Sequence, residues 1–135
     1  MTFGSVDGCD AQLTGFEASG EGAVVRAIVH GEQISFPILQ TGRHWGMNSL
    51  TVVLALEAMD VSRQDALGSL AAFAPLAGRG AEREVAGFTL IDESYNANPI
   101  SMASAIATLG ARAARGRRIV AGTALQRRGK RWTGE

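Results

Sequence analysis

Hydrophobic and polar residues alternate along the first part of the chain, and this pattern predicts β-strands. Three such runs cover residues 11–16, 23–29 and 33–39. Alternate positions of the second run share one face: Val25, Ala27 and Val29. Arg26 and His30 lie on its other side, and Gly31-Glu32 suits a two-residue turn, which predicts a hairpin. Pro37 cannot donate a ladder hydrogen bond, which indicates that the third strand lies at a sheet edge or that Pro37 lies near its end.

Beyond residue 40 the apolar positions recur at helical spacing. A polar, glycine-containing stretch over residues 41–48 opens a first helix, whose apolar positions are Leu50, Val53, Leu54 and Ala58. Ser62 is a good N-cap for a second helix, with Asp65 in its first turn. The apolar stripe of that helix contains Leu67, Leu70 and Phe73 or Ala74.

A strand, a helix and a second strand follow. The run from Phe88 to Ile91 favours β structure and ends at the adjacent carboxylates Asp92 and Glu93. Asn98 and Pro99 suit the start of a helix, whose apolar face is Met102, Ala105, Ile106 and Leu109. Residues 117–122 then read as a short strand. This order predicts the start of a parallel βαβ unit, and the fold class is therefore α/β.

Composition restricts the partners and the compartment. The chain has 135 residues, the size of one ordinary domain, and a formal net charge of zero. This charge gives no reason to expect nucleic acid as a partner. Cys9 is the only cysteine, so an intramolecular disulfide is impossible. No run is long enough to span a bilayer, and we expect a cytoplasmic protein that does not bind membranes.

The end of the chain is basic. Residues 123–135 have no hydrophobic period and contain Arg127, Arg128, Lys130, Arg131 and Trp132. An RNA-binding tail is one interpretation of this segment, and a solvated terminus is the interpretation that we favour.

Two residues at the start of the first helix are candidates for binding a base. His44 and Asn48 are four positions apart and therefore share a helix face. The asparagine amide can both donate and accept, which suits the edge of an adenine. N-terminal capping combined with a packed Trp45 indole explains the same stretch equally well.

Two further positions carry candidate chemistry. Arg79 stands between two glycines, where its guanidinium could clamp a phosphate, although most loop arginines are only solvated. His30 has Glu32 nearby, yet no further ligand stands at useful spacing, so we interpret it as a surface residue.

Three separated pieces of the sequence together resemble the Mur ligases. The first is Gly42-Arg43-His44 with Asn48, and the second is Gly78-Arg79-Gly80. The third is Leu90-Ile91-Asp92-Glu93-Ser94-Tyr95-Asn96-Ala97-Asn98-Pro99 with Ser101-Met102, which looks like the family member that adds D-alanyl-D-alanine. The resemblance covers roughly residues 10 to 121.

The resemblance implies a division of the chain. Mur ligases have a UDP-sugar domain, a central ATP-binding domain and a Rossmann-like last domain. Residues 1–86 would be the end of the central domain, with a β-hairpin and two helices. Residues 87–122 would begin the last domain, and residues 123–135 match neither.

The resemblance also implies an activity. The full enzyme would be an ATP- and Mg²⁺-dependent ligase of peptidoglycan synthesis, cell-wall biogenesis and cell division. It would join D-alanyl-D-alanine to UDP-N-acetylmuramoyl-tripeptide through an acyl phosphate, and we expect it to be a monomer. This chain would be an internal fragment.

Carried over by position, five residues would contact ATP. Asn48 would bind adenine with His44 beside it, Arg79 would reach the phosphates, and Glu93 would bind the ribose with Asp92 just before it. Two positions depart from the family. Trp45 replaces a common asparagine, and Glu93 replaces a common aspartate.

No catalytic or metal-binding residue is expected in this chain. It has no Gly-x-x-Gly-Lys-Thr/Ser loop, and Lys130 is its only lysine. We therefore predict that the chain alone is inactive and that it leaves apolar surface uncovered. The alternative hypothesis is a non-catalytic nucleotide-binding or scaffold module.

Overall fold

A computed structural model of the chain describes residues 1–19 and 22–122. Its first part contains a four-stranded sheet in the order β1-β2-β3-β4. The strands are β1 (Phe3–Gly4), β2 (Ala11–Ser19), β3 (Gly22–Val29) and β4 (Glu32–Ile38). β1 is parallel to β2, and the other neighbouring strands are antiparallel. The predicted fold class, α/β, is confirmed.

The predicted hairpin is formed by β3 and β4, but its turn lies one residue earlier than expected. Val29 pairs with Glu32, so the two turn residues are His30 and Gly31, with φ of 50° and 83°. Positive φ at both positions is typical of the turn whose twist matches that of the strands. His30 is thus a turn residue, whereas Pro37 lies on the edge strand as predicted.

Two helices cover one face of this sheet. They are α1 (Arg43–Glu57) and α2 (Arg63–Ala72). The Ser62 side chain accepts a hydrogen bond from the backbone N–H of Asp65, which confirms the predicted N-cap of α2. The core combines alternate strand positions with one stripe of α1: Ala11, Leu13, Ala23, Val25, Ala27, Val29, Phe36, Ile38, Leu50, Val53 and Leu54.

A cluster of charged side chains joins the β3–β4 turn to the α1–α2 junction. Arg63 contacts both Glu57 and Glu32, the latter with 2.6 Å between Nη1 and Oε2. The Nε2 of His30 lies 3.4 Å from Oε2 of Glu57. His30 and Glu32 therefore each face a different partner, and His30 is exposed, in agreement with its interpretation as a surface residue.

The second part of the chain contains a hairpin and a helix. β5 (Ala81–Val85) pairs antiparallel with β6 (Phe88–Asp92), and α3 (Pro99–Ala111) follows. The predicted start of α3 is confirmed, because the Asn98 side chain caps the N–H of Ser101 and Pro99 is the first helical residue. The predicted domain boundary at residues 86 and 87 falls within the β5–β6 turn.

The strand expected over residues 117–122 is not formed, and this prediction was wrong. Residues 112–122 form neither helix nor strand. A strand exists only through hydrogen bonds to a neighbouring strand, and within the described chain β6 pairs with β5 alone. Ile119 and Val120 are accordingly 76% and 57% exposed.

Apolar side chains of the second part remain accessible, as predicted. No residue of α3 is buried, and Ile100 is 84% exposed. Phe88 of β6 is 71% exposed. Among the described residues, no helix has the length and apolar character needed to cross a membrane.

Replacing Val53 with alanine tests the core. Its side chain is fully buried, so Val53→Ala should lower the free energy of unfolding by about 1.5–3 kcal/mol. Val52, its neighbour on α1, is 41% exposed, so Val52→Ala should change that free energy by no more than about 0.5 kcal/mol. Urea denaturation followed by circular dichroism measures both. Equal losses would contradict this placement of the core.

Candidate functional site

Asp92, at the end of β6, connects two loops. Its Oδ2 accepts a hydrogen bond from the N–H of Gly78 at 3.2 Å, and its Oδ1 accepts one from the N–H of Ser94 at 3.1 Å. Its backbone carbonyl accepts from the N–H of Gly80 at 2.8 Å. These bonds, above all those from Ser94, hold the pKa of the Asp92 carboxyl below its usual range. A charged carboxylate thus fixes residues 78–80 beside the end of the strand.

Arg79 is held in this loop between two glycines with positive φ, 73° at Gly78 and 84° at Gly80. A Cβ on Gly78 would lie 3.0 Å from the backbone nitrogen of Tyr95, so a larger residue would push the two loops apart. The guanidinium carbon of Arg79 lies 3.8 Å from the centre of the Tyr95 ring. The guanidinium therefore lies over the aromatic ring.

A cleft of about 640 Å³ opens beside this loop, between the first turns of α1 and α3. Two of the five predicted residues line it, His44 from α1 and Glu93 from the end of β6. The remaining lining residues come from the start of α3: Asn98, Pro99, Ile100, Ser101, Ser104 and Ala105. The structure thus brings His44 and Glu93 together although they are far apart in sequence.

His44 is held by contacts on both sides. A Cβ on Gly42, the residue before α1, would lie 2.5 Å from Cε1 of His44, so only glycine allows the ring to lie this close. On its other side the Oγ of Ser104 lies 3.0 Å from Nδ1 of the imidazole. Burial lowers the pKa of His44, because the charged imidazolium loses its hydration.

Glu93 differs from its neighbour Asp92. Burial, together with the nearby negative charge of Asp92, raises the pKa of the Glu93 carboxyl. Its Oε1 would be 3.3 Å from a Cβ on Gly80, which places the carboxylate directly against the Arg79 loop. Asp92 therefore accepts hydrogen bonds that hold the loops, whereas Glu93 lines the cleft.

Asn48 and Arg79 are placed differently from His44 and Glu93. Asn48 is exposed on α1, one helical turn beyond His44, and Arg79 is partly buried; neither lines the cleft. Trp45 packs against the hydrophobic core, as expected if residues 41–48 only cap and anchor the first helix. The side-chain capping expected in the same interpretation was wrong, because the N-cap is Gly42 and no side chain caps α1.

This arrangement combines three kinds of polar group. It presents a neutral imidazole, a partly buried carboxylate and a cation on neighbouring elements. Among the described residues, no three His, Cys, Asp or Glu side chains lie close enough to hold a metal ion.

Sequence reasoning missed two residues that contact the predicted ones, Tyr95 and Ser104. Tyr95 stands within the third motif, and Ser104 lies on the cleft-facing side of α3. Neither contact partner can be read from spacing along the chain, because each pair joins different elements.

Sequence comparison finds two relatives that have the same name. No protein-family model matches the chain. A UDP-N-acetylmuramate–L-alanine ligase from Salinispora arenicola is 33% identical over 120 residues, which are 88% of this chain and 24% of that protein. The corresponding ligase from Salinispora tropica is 32% identical over 109 residues, 80% of this chain and 21% of the relative. The chain thus spans about a quarter of the length of these relatives.

Comparison with solved structures finds the same kind of protein. MurF from Acinetobacter baumannii superposes with a TM-score of 0.75 at 26% identity, over 84% of this chain and 24% of that one. MurF from Thermotoga maritima in complex with ADP has the same fold, with a TM-score of 0.69 at 18% identity, over 79% of this chain and 25% of that one. The resemblance to Mur ligases stated from the motifs is confirmed.

The His44 environment predicts a pH dependence. Because the folded chain binds the imidazole proton less readily than the unfolded chain, the contribution of His44 to stability is constant at neutral pH. It falls as the pH drops below about 6.5, the pKa of an unperturbed histidine.

An NMR titration of the imidazole Cε1–H signals should give a midpoint below about 6.5 for His44. A His30→Gln variant assigns the two histidine signals. In urea denaturation, the wild type should lose stability relative to His44→Gln as the pH falls from 7 to 5. A midpoint at or above that of free histidine would contradict the buried placement.

Proposed function

We propose that this chain, which resembles the Mur ligases in sequence and in fold over most of its length, carries part of the nucleotide site of such a ligase. ATP, used with Mg²⁺ in the complete enzyme, is the nucleotide that the site would take. The observation that carries this proposal is the position of Glu93, which lines the cleft with His44 and also adjoins the loop that bears Arg79.

The side chains suit the parts of a nucleotide. Asn48 and His44, on one side of α1, offer an amide and an imidazole for the base. The Glu93 carboxylate can accept hydrogen bonds from ribose hydroxyls, and Arg79 supplies donors for phosphate oxygens. Asp92 acts indirectly in this proposal, because its oxygens already accept from backbone N–H groups at the strand end.

ATP would supply the phosphoryl group that activates a carboxylate for attack by an amine. The residues of this chain would bind and orient the nucleotide. The proposed division of the chain, with the central domain ending at residue 86 and the last domain starting at residue 87, places these residues on both sides of a domain junction.

We propose D-alanyl-D-alanine as the amine and UDP-N-acetylmuramoyl-tripeptide as the carboxylate substrate in the complete enzyme. The motif over residues 90–99 and the MurF structures support this choice. The Salinispora relatives are named for L-alanine addition, which makes L-alanine the competing amine. A cytoplasmic, monomeric enzyme of cell-wall synthesis fits either substrate.

Calorimetric titration with ATP and with adenosine tests the site. Arg79→Ala should weaken ATP binding about 10- to 150-fold, the loss of a charge-assisted hydrogen bond, and leave adenosine binding unchanged. Asn48→Ala should weaken both ligands about 5- to 150-fold, because it removes a contact to the base.

Two matched variants serve as controls for these titrations. Arg115→Ala removes an arginine and Gln64→Ala removes a side-chain amide, both at exposed positions outside the site, and both variants should bind ATP as the wild type does. Absence of ATP binding by the wild-type chain would overturn the proposed nucleotide site.

The chain alone should not form product. A coupled assay for ADP with ATP, Mg²⁺, the UDP-tripeptide and D-alanyl-D-alanine should give no turnover above background. The reason is that the sequence contains no Gly-x-x-Gly-Lys-Thr/Ser loop to hold the phosphates. Turnover that requires both substrates would contradict this expectation.

A further inference from the structure

Tyr95 lies against Arg79 but makes no contact with the cleft. Tyr95 is 68% exposed, so packing in a hydrophobic core does not explain its position. Its backbone N–H donates to the carbonyl oxygen of Gly78 at 3.0 Å, which brings the ring beside the neighbouring residue, Arg79. The loop thus contains a backbone bond that sets one aromatic ring under one cation.

The contact with Tyr95 leaves N–H donors of Arg79 available. The central carbon of the guanidinium lies over the ring, 3.8 Å from its centre, which is within the range of a cation–π contact. The N–H donors of a guanidinium lie in its plane, where an anion can meet two of them at once. Within the described part of the chain, no carboxylate lies within ion-pair distance of Arg79.

We propose that Tyr95 is a positioning residue that orients Arg79 for the phosphates of the nucleotide. This inference rests on the proposed function. Tyr95 does not touch the ligand; it holds a long, flexible side chain in one orientation before the ligand arrives. Because Arg79 is already ordered in the folded chain, binding does not lose the conformational entropy of its side chain.

The aromatic ring, and not the hydroxyl, carries this role. The contact is with the ring centre, and within the described residues the Tyr95 hydroxyl makes no hydrogen bond. Phenylalanine therefore retains the function and leucine removes it, which separates stacking from simple bulk.

The first experiment observes the contact without any nucleotide. In NMR spectra of the chain, the Arg79 Nε–Hε signal should be shifted upfield by the ring of Tyr95. The shift should persist in Tyr95→Phe and disappear in Tyr95→Leu. Arg79→Gln identifies the signal. An unshifted signal in the wild type would overturn the inference whatever the chain binds.

The second experiment is a double-mutant cycle of Tyr95→Leu and Arg79→Gln, with ATP and adenosine as probes. Tyr95→Leu should weaken ATP binding about 2- to 30-fold, the range of a cation–π contact, and leave adenosine binding unchanged. Tyr95→Phe should bind ATP as the wild type does. In the Arg79→Gln background, Tyr95→Leu should have no further effect.

The outcomes separate this inference from the proposed function. Equal losses for ATP and adenosine, or additive losses in the cycle, would overturn the role of Tyr95 and leave the nucleotide site standing. A wild-type chain that binds no ATP would overturn both. A phosphate-selective loss that depends on Arg79 supports both.

Discussion

The positions of Arg79 and of the segment after β6 depend on Asp92. Its two oxygens accept from Gly78 on one side and from Ser94 on the other, and its carbonyl accepts from Gly80. One residue thus fixes the loop that carries Arg79 and the segment that follows β6. Its lowered pKa keeps the carboxylate charged to lower pH than usual, so these hydrogen bonds to the charged form are retained.

The two parts of the chain are stabilised by different interactions. The buried hydrophobic core lies between residues 11 and 66, in the four-stranded sheet and its two helices. The β5–β6 hairpin and α3 contribute no buried hydrophobic residue and are joined to the rest by polar contacts such as His44 with Ser104. Hydrogen bonds of this kind contribute about 0.5–1.5 kcal/mol each, less than a buried aliphatic side chain. The candidate site therefore lies where a well-packed region meets a weakly held one, and a ligand that contacts both would stabilise their arrangement.

Local patterns in the sequence were sufficient to predict most elements. The caps at Ser62 and Asn98 and the alternation around Val25 depend on neighbours in sequence, and the structure confirms them. The prediction of a strand over residues 117–122 was wrong, because an apolar pattern does not show whether a partner strand is present. The contact of Tyr95 with Arg79 and that of Ser104 with His44 join distant elements, so they follow from the packing of loops and helices and not from any periodicity.

The adjacent carboxylates of the third motif look equivalent in sequence, yet the fold gives them separate tasks. Both oxygens of Asp92 accept backbone hydrogen bonds, which leaves less capacity for a ligand. Glu93 lines the cleft, where burial and the nearby charge of Asp92 raise the pKa of its carboxyl. A partly desolvated carboxylate gains more from hydroxyl donors than an exposed one does, because those donors replace the water that it has lost.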